Sequence, residues 1–339
     1  MAIATPNLFG PGYTLASLTE AINLIPNLWG RLQEYDLFPA EGITTRDIAI
    51  DLVNEYLTIL PEKEPGAPAT VGRNEDRSVL SFRVPHIPHE ELVLPADVQG
   101  RRAPGQIGPD SMTLAYQRKV EAGRRKFALT LEYLRMGALK GIIIGGSGKT
   151  LYNLYSVFGI TQKSVDFVLG TATTDVDAKI NEVLRHIEDN LLGEIMTGAK
   201  ALVSPEFFDK FIAHPVVREA YKYYAATGAQ PLREDVRRQF PYKGLVLEEY
   251  RGVGQLASGT TARFIAAGEG HAFPLGTTQT FKTYFAPANK DEFVNTVGME
   301  AYAWPVRTGD ERGWRIIMES NPLPLCRRPH VLVKLTSSN

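Results

Sequence analysis

Cys326 is the only cysteine in 339 residues. A lone thiol excludes an internal disulfide framework and any multi-cysteine zinc site, and fits a protein made in a reducing compartment. Histidine is also scarce: His86, His89, His186, His214, His271 and His330 include no His-x-x-x-His pair. His86 and His89 stand three apart, but Pro85 and Pro88 hold that segment extended, where the spacing does not converge on a metal. Solvated loop histidines are the expectation. There is no Gly-x-Ser-x-Gly elbow, and Cys326 has only His330 nearby, so no nucleophile is expected.

Charge of one sign is missing as well. The net charge of −1 argues against a dedicated nucleic-acid binder, whose affinity comes from a basic surplus, although one basic face fits inside a neutral total. No stretch approaches ~18 uninterrupted apolar residues, and Met1 to Pro6 lack a basic start followed by an apolar core. The expectation is a chain that neither spans a membrane nor carries a secretory signal. Trp29, Trp304 and Trp314 are the only tryptophans; with 15 Phe and 14 Tyr they read as core or interface anchors rather than stacking platforms for bases.

What is present is ample apolar material, 44% of residues, in a length that suggests about two domains. The first ~40 residues mix short apolar runs with turn residues and read as an arm. Thr45 to Val53 alternates with period two and predicts a strand. Between Thr58 and Gly105 the chain then passes Pro61, Pro65, Pro68, Pro85, Pro88, Pro95 and Pro104. So long an irregular excursion costs roughly 1–2 kcal/mol of backbone entropy per residue and buries little of itself. Within it Ser78 to Val84 alternates polar and apolar residues, as a strand with one covered face does. The excursion therefore reads as a long hairpin arm reaching a neighbouring subunit.

Downstream, Met112, Tyr116, Val120, Phe127, Leu131, Leu134 and Ala138 share one helical stripe, which predicts a rod from Ser111 to Gly137 of roughly 40 Å. Off the stripe lie Arg118, Lys119, Arg124, Arg125 and Lys126. This basic run is either a solvated face on which an arginine pairs with Glu121, or a surface turned toward packaged nucleic acid. A second helix is predicted over Asp175 to Thr197. Ser204-Pro205-Glu206 reads as cap, first-turn proline and acid of another, followed by a helix pair split at Pro215. Tyr242 to Tyr250 and four later segments read as strands. The chain is α+β.

Gly145-Gly146-Ser147-Gly148-Lys149-Thr150 imitates a phosphate loop, but the spacing fails, because Ile143 stands where the first glycine belongs. A glycine-rich turn joining two strands is the preferred reading, and a nucleotide-binding enzyme using this segment is the alternative. No cofactor or metal is expected.

The order of arm, hairpin, long helix, second hairpin and helix-and-sheet domain resembles the major capsid proteins of tailed phages, specifically the lambda-type capsid protein E family. Leu139-Lys140-Gly141, Phe240-Pro241-Tyr242-Lys243-Gly244 and Glu319-Ser320-Asn321-Pro322-Leu323-Pro324 carry the likeness. It implies the α+β Hong Kong-97-type phage capsid fold. That fold would comprise an N-terminal arm (1–43), an extended E-loop hairpin (44–105), a peripheral domain (106–175 and 281–318, with spine helix 111–137) and an axial domain (176–280 and 319–339). It implies a non-enzymatic protein of the virion capsid, assembled in the host cytoplasm from hexamers and pentamers of itself around packaged DNA. A separate scaffolding protein and a portal are implied partners, and a decoration protein is left open. A tail or adaptor protein is the other structural alternative.

Overall fold

The computed structural model describes residues 30–53, 77–99, 112–226, 237–310 and 312–338. In chain order these form α1 (Arg31–Glu34), β1 (Ala40–Gly42), β2 (Asp47–Val53), β3 (Arg77–Arg83), β4 (Ile87–Val93), α2 (Met112–Lys140), β5 (Ile142–Ile144) and β6 (Thr150–Asn153). There follow α3 (Leu154–Val157), β7 (Lys163–Asp166), α4 (Val176–Asp189), β8 (Gly198–Val203), α5 (Pro205–Ala213) and α6 (Pro215–Ala226). The rest, apart from single 3-10 turns at Asp291–Phe293 and Pro329–Val331, is strand: β9 (Phe240–Tyr242), β10 (Leu245–Glu249), β11 (Val253–Gln255), β12 (Thr261–Arg263), β13 (Glu269–Leu275), β14 (Phe281–Phe285), β15 (Tyr302–Arg307), β16 (Trp314–Ser320), β17 (Pro322–Cys326) and β18 (Val333–Thr336).

Helix α2 organises one half of the molecule. Tyr116, Val120, Phe127, Leu131, Leu134 and Ala138 of the predicted stripe are buried, and Gly141, at φ 78°, stops the helix in the left-handed conformation that glycine adopts without a Cβ clash. Two small sheets flank it, ordered β15-β16-β4 and β1-β14-β17. Both place their prolines on an edge: Pro88 lies in β4, and Pro322 and Pro324 in β17, where a missing N–H costs least. The other half is a six-stranded sheet, β7-β18-β13-β8-β10-β9, with α4 against β7, β13 and β18 and α5 against β10. Its central strand β8 is buried from Ala199 to Val203. Strand β7 pairs with β18 in this sheet, although its residues fall in the 106–175 stretch expected to be peripheral.

Three expectations change. The excursion is shorter than predicted, because β4 returns to pair with β16 of the same chain. The base of the β2–β3 hairpin also belongs to the subunit's own core, since Ile48, Ile50, Phe82 and Val84 join its main apolar cluster. The hairpin tip (54–76), the first 29 residues and 100–111 lie outside the described residues. Helix α4 ends at Asp189 rather than Thr197, because Leu192 and Gly193 take left-handed φ of 50° and 82°. The segment from Tyr242 to Tyr250 does not run as one strand: Lys243 and Gly244, at φ 51° and 87°, form the two-residue turn of a β9–β10 hairpin.

Candidate assembly and nucleic-acid surfaces around the long helix

The five basic residues predicted to share one face of α2 are divided by their partners. Arg118 and Arg125 are exposed. Lys119 reaches across to the β4 segment, donating to the Leu92 carbonyl and to Asp97 Oδ2 at 2.9 Å. Lys126 does the same one helical stretch later, with Glu91 Oε1 at 2.7 Å and His89 Nε2 at 3.0 Å. Arg124 is the exception. It is only 4% exposed, and its Nη2 donates to Glu300 Oε2 at 2.5 Å. The expected partner Glu121 therefore does not take Arg124, and Arg124 is not part of a solvent-facing set. Sequence spacing put these side chains on a polar arc; tertiary packing laid β4 and the loop before β15 over part of that arc.

The β2–β3 hairpin forms a two-stranded sheet by itself, so among the described residues neither outer edge has a strand partner. Its root is fixed. Tyr152 of β6 accepts from the Arg83 N–H at 2.7 Å and donates to the Arg83 carbonyl at 2.8 Å, and its ring meets Phe82 edge-on at 5.3 Å. The opposite face carries Val79, which is exposed. A rooted ribbon with two open edges and an apolar residue on its outer face can take up an extended segment from another chain.

The glycine-rich segment is a turn between β5 and β6, as the failed spacing predicted. The Gly145 N–H donates to the Lys149 carbonyl and that of Gly148, at φ 80°, to the Gly145 carbonyl, both at 2.9 Å. Strand β6 follows the turn, so no helix N-terminus stands behind it as phosphate binding requires.

The histidines are not all solvated. His214 and His271 are buried, and burial, with Lys140 and Lys334 nearby, pushes His271 down to about 3. His86 lies 2.9 Å from Asn321 Oδ1, and His186 3.0 Å from the His330 carbonyl. The Cys326 thiol is fully buried and pushed up to about 12, which keeps it protonated. Among the described residues no three His, Cys, Asp or Glu side chains gather as metal ligands.

A polar cluster that the sequence did not disclose ties α1 to both halves of the fold. The Leu32 N–H donates to Glu132 Oε1 of α2 at 3.0 Å, and the Tyr250 hydroxyl to the same oxygen at 3.1 Å. Arg31 Nε donates to Glu248 Oε1 of β10 at 2.6 Å, Tyr35 donates to the other oxygen, and Lys200 of β8 sits 2.7 Å from it. Arg135 holds Gln33. Burial alone would raise the Glu248 carboxyl, but hydrogen bonds from Arg31, Lys200 and Tyr35 outweigh it and hold the group below the usual carboxylate range. Glu132 has weaker support, and burial raises it. Apart from Lys200–Glu248, 48 positions apart, these contacts join residues a hundred or more positions apart, which no local pattern reveals. Leu32, fully buried, completes the attachment.

The sequence pattern of the family described as phage major capsid protein E matches residues 14–337. The major capsid protein of Pseudomonas phage KPP10 is 35% identical over 340 residues, covering 95% of this chain and 96% of that one. The major capsid protein of Salmonella phage Felix O1 is 28% identical over 356 residues, covering 95% of each. Among solved structures, the capsid of cyanophage P-SCSP1u superposes with a TM-score of 0.54 at 12% identity, covering 100% of both chains. That likeness fixes the fold as the α+β phage capsid fold, and the near full-length sequence match shows that the chain belongs to the phage major capsid protein E family.

Proposed function

We propose that this chain is the shell subunit of a tailed phage: it self-assembles through hexamers and pentamers into the icosahedral head that encloses double-stranded DNA. The observation that carries this is the near end-to-end match to a protein named major capsid protein. A hairpin rooted in the core, with both edges open among the described residues, supports the reading. In such a shell the outer part of the β2–β3 hairpin reaches a neighbour, while its base and β4 stay with the subunit's own fold, and the arm is pinned at α1. The half built on α2 is peripheral and the six-stranded half, β7 included, is axial. The protein acts through surfaces and not through catalysis. It is assembled in the host cytoplasm, with a separate scaffolding protein and a portal as partners and room for a decoration protein. Arg118 and Arg125 are the residues proposed to face DNA, while Lys119 and Lys126, paired with Asp97 and Glu91, hold β4. Electron microscopy of the purified protein tests the reading. Closed shells are expected; rings or short tubes alone would favour a tail or adaptor role, and a persistent monomer that binds nucleotide through Lys149 would overturn it.

A further inference from the structure

Two stretches of chain pass side by side between the six-stranded half and the half built on α2. Residues 276–280 lead from β13 to β14, and residues 327–332 lead from β17 back to β18. Each stretch joins strands that are neighbours at both ends, because β13 pairs with β18 in one sheet and β14 with β17 in the other. The joint is therefore a two-stranded ribbon, and its ladder lapses: one run of pairs ends at Ala272–Val333 and the other at Phe281–Cys326. In between, the Arg327 N–H donates to the Thr280 carbonyl at 2.7 Å and Arg327 Nη1 to Gln279 Oε1 at 3.0 Å. A short ribbon with few bonds of its own is where changes of φ and ψ accumulate when two halves hinge.

Glu194 opposes that freedom. It stands on the turn between α4 and β8, its side chain is 9% exposed, and its carboxylate grips both stretches at once. Oε1 accepts from the backbone N–H groups of Thr278 and Gln279, both at 2.6 Å. Oε2 accepts from the Thr280 hydroxyl at 2.7 Å and lies 3.2 Å from Arg328 Nη1 on the returning stretch. Arg328 also donates to the Leu191 carbonyl, so the same turn holds it twice. Burial alone would raise the Glu194 carboxyl, but the Gln279 N–H, the Thr280 hydroxyl and Arg328 outweigh it and hold the group below the usual carboxylate range. Bonds to a charged carboxylate are roughly twice as strong as neutral ones. The turn is also a firm base, since α4 packs on β7, β13 and β18 with Val176, Ile180, Val183 and Ile187 fully buried.

We propose that Glu194 is the lock of this joint: fixed to the six-stranded half through α4, it grips both crossing stretches and so sets the angle between the two halves. A turn that only connected α4 to β8 would need none of these four donors. The α1 cluster, which links α2 to β8 and β10, is a second tie. Losing Glu194 therefore widens the range of angles and does not separate the halves. The lock is a property of one subunit; its use, in giving subunits of one sequence a defined angle in hexamers and pentamers, rests on the shell-subunit reading.

Distances between the halves test it. Spin labels on Glu90→Cys of β4 and Asp209→Cys of α5, both exposed positions, span the joint, while Cys326 is buried and stays unlabelled. Dilution with unlabelled chain restricts the pulsed EPR signal to pairs within one subunit, assembled or not. With Glu194 intact a single narrow distance distribution is expected. Glu194→Ala should broaden it roughly twofold or more, and Thr280→Val, which removes one grip only, should broaden it less. A residue that merely adds stability would lower the melting temperature and leave the distribution unchanged, and that result overturns the lock. A broad distribution with Glu194 intact overturns it too. If Glu194→Ala does not fold, Glu194→Gln, which keeps an acceptor for the two N–H groups but loses the charge facing Arg328, is judged by the same criteria. Neither failure touches the shell-subunit reading, which electron microscopy decides separately.

Discussion

Arg124 and Glu300 pair at 2.5 Å inside the joint between the long helix and the loop that leads into β15, with the arginine buried and the carboxylate one-third exposed. This pair separates two neighbouring arginines that the sequence presents as equivalents. Arg124 belongs to the fold, and Arg125 belongs to the surface.

Replacing Arg124 by glutamine leaves the Glu300 carboxylate without its partner and removes a charge-assisted hydrogen bond. The expected cost is about 1.5–3 kcal/mol, read as a lower urea midpoint with unchanged slope. Arg125→Gln, on an exposed site, should stay within about 0.5 kcal/mol of wild type. Genome retention then becomes interpretable. In shells of normal stability, weaker DNA retention in Arg125→Gln at low salt supports a nucleic-acid-facing role, and unchanged retention removes it. Equal destabilisation by the two substitutions would contradict the assignment of Arg124 to the joint.

His271 supplies an acid-sensitive contribution whose sign is fixed by its environment. In the unfolded chain it titrates near 6.5; in the sheet, burial pushes it down to about 3, with Lys140 and Lys334 adding to the effect and Glu269 engaged with Lys334. Above about 6.5 both states are neutral and the group contributes no slope. As pH falls from there toward about 3, the unfolded chain binds a proton that the folded chain refuses. Stability therefore declines by up to roughly 1.4 kcal/mol per pH unit. His186, also lowered by burial, slopes the same way. Melting curves at pH 7 and pH 5 should show a clear drop in the wild type and a smaller one in His271→Leu. Equal drops would place the sensitivity elsewhere.

Much of this architecture was legible because it is local. The stripe from Met112 to Ala138, the Ser204-Pro205 start of α5 and the alternation of β2 and β3 each report one element's own burial pattern. The strands that escaped notice are those whose burial is set by the whole fold. In β13, Gly270 to Pro274 is buried on both faces, so nothing alternates, and β17 contains two prolines that only an edge position permits. The two-residue turn at Lys243-Gly244 was obscured because only Gly244 signals it. The candidate site was half legible: the basic run was visible, but its division among β4, Glu300 and solvent depends on segments more than twenty residues away. The anchoring of α1 by Glu132 and Glu248 was invisible for the same reason.

The hairpin should divide into a root that folds the subunit and a tip that joins subunits. Phe82 is fully buried against Tyr152 and Phe158, and Ile48 and Ile50 share its cluster, so the root is core. Phe82→Ala should cost about 3–5 kcal/mol through the lost transfer energy and the cavity left behind, enough to unfold a marginal subunit or to yield insoluble protein. Deleting 62–74 leaves both strands and their full register from Asp47–Arg83 to Val53–Arg77 in place. Shortening such a loop also changes its closure entropy only by about 0.6 kcal/mol per twofold change in length. The deletion variant should therefore remain soluble, melt within a few degrees of the full chain, and fail to form closed shells by electron microscopy. A deletion that unfolds the monomer would show that the tip is part of the core, and one that assembles normally would show that neighbouring subunits do not need it.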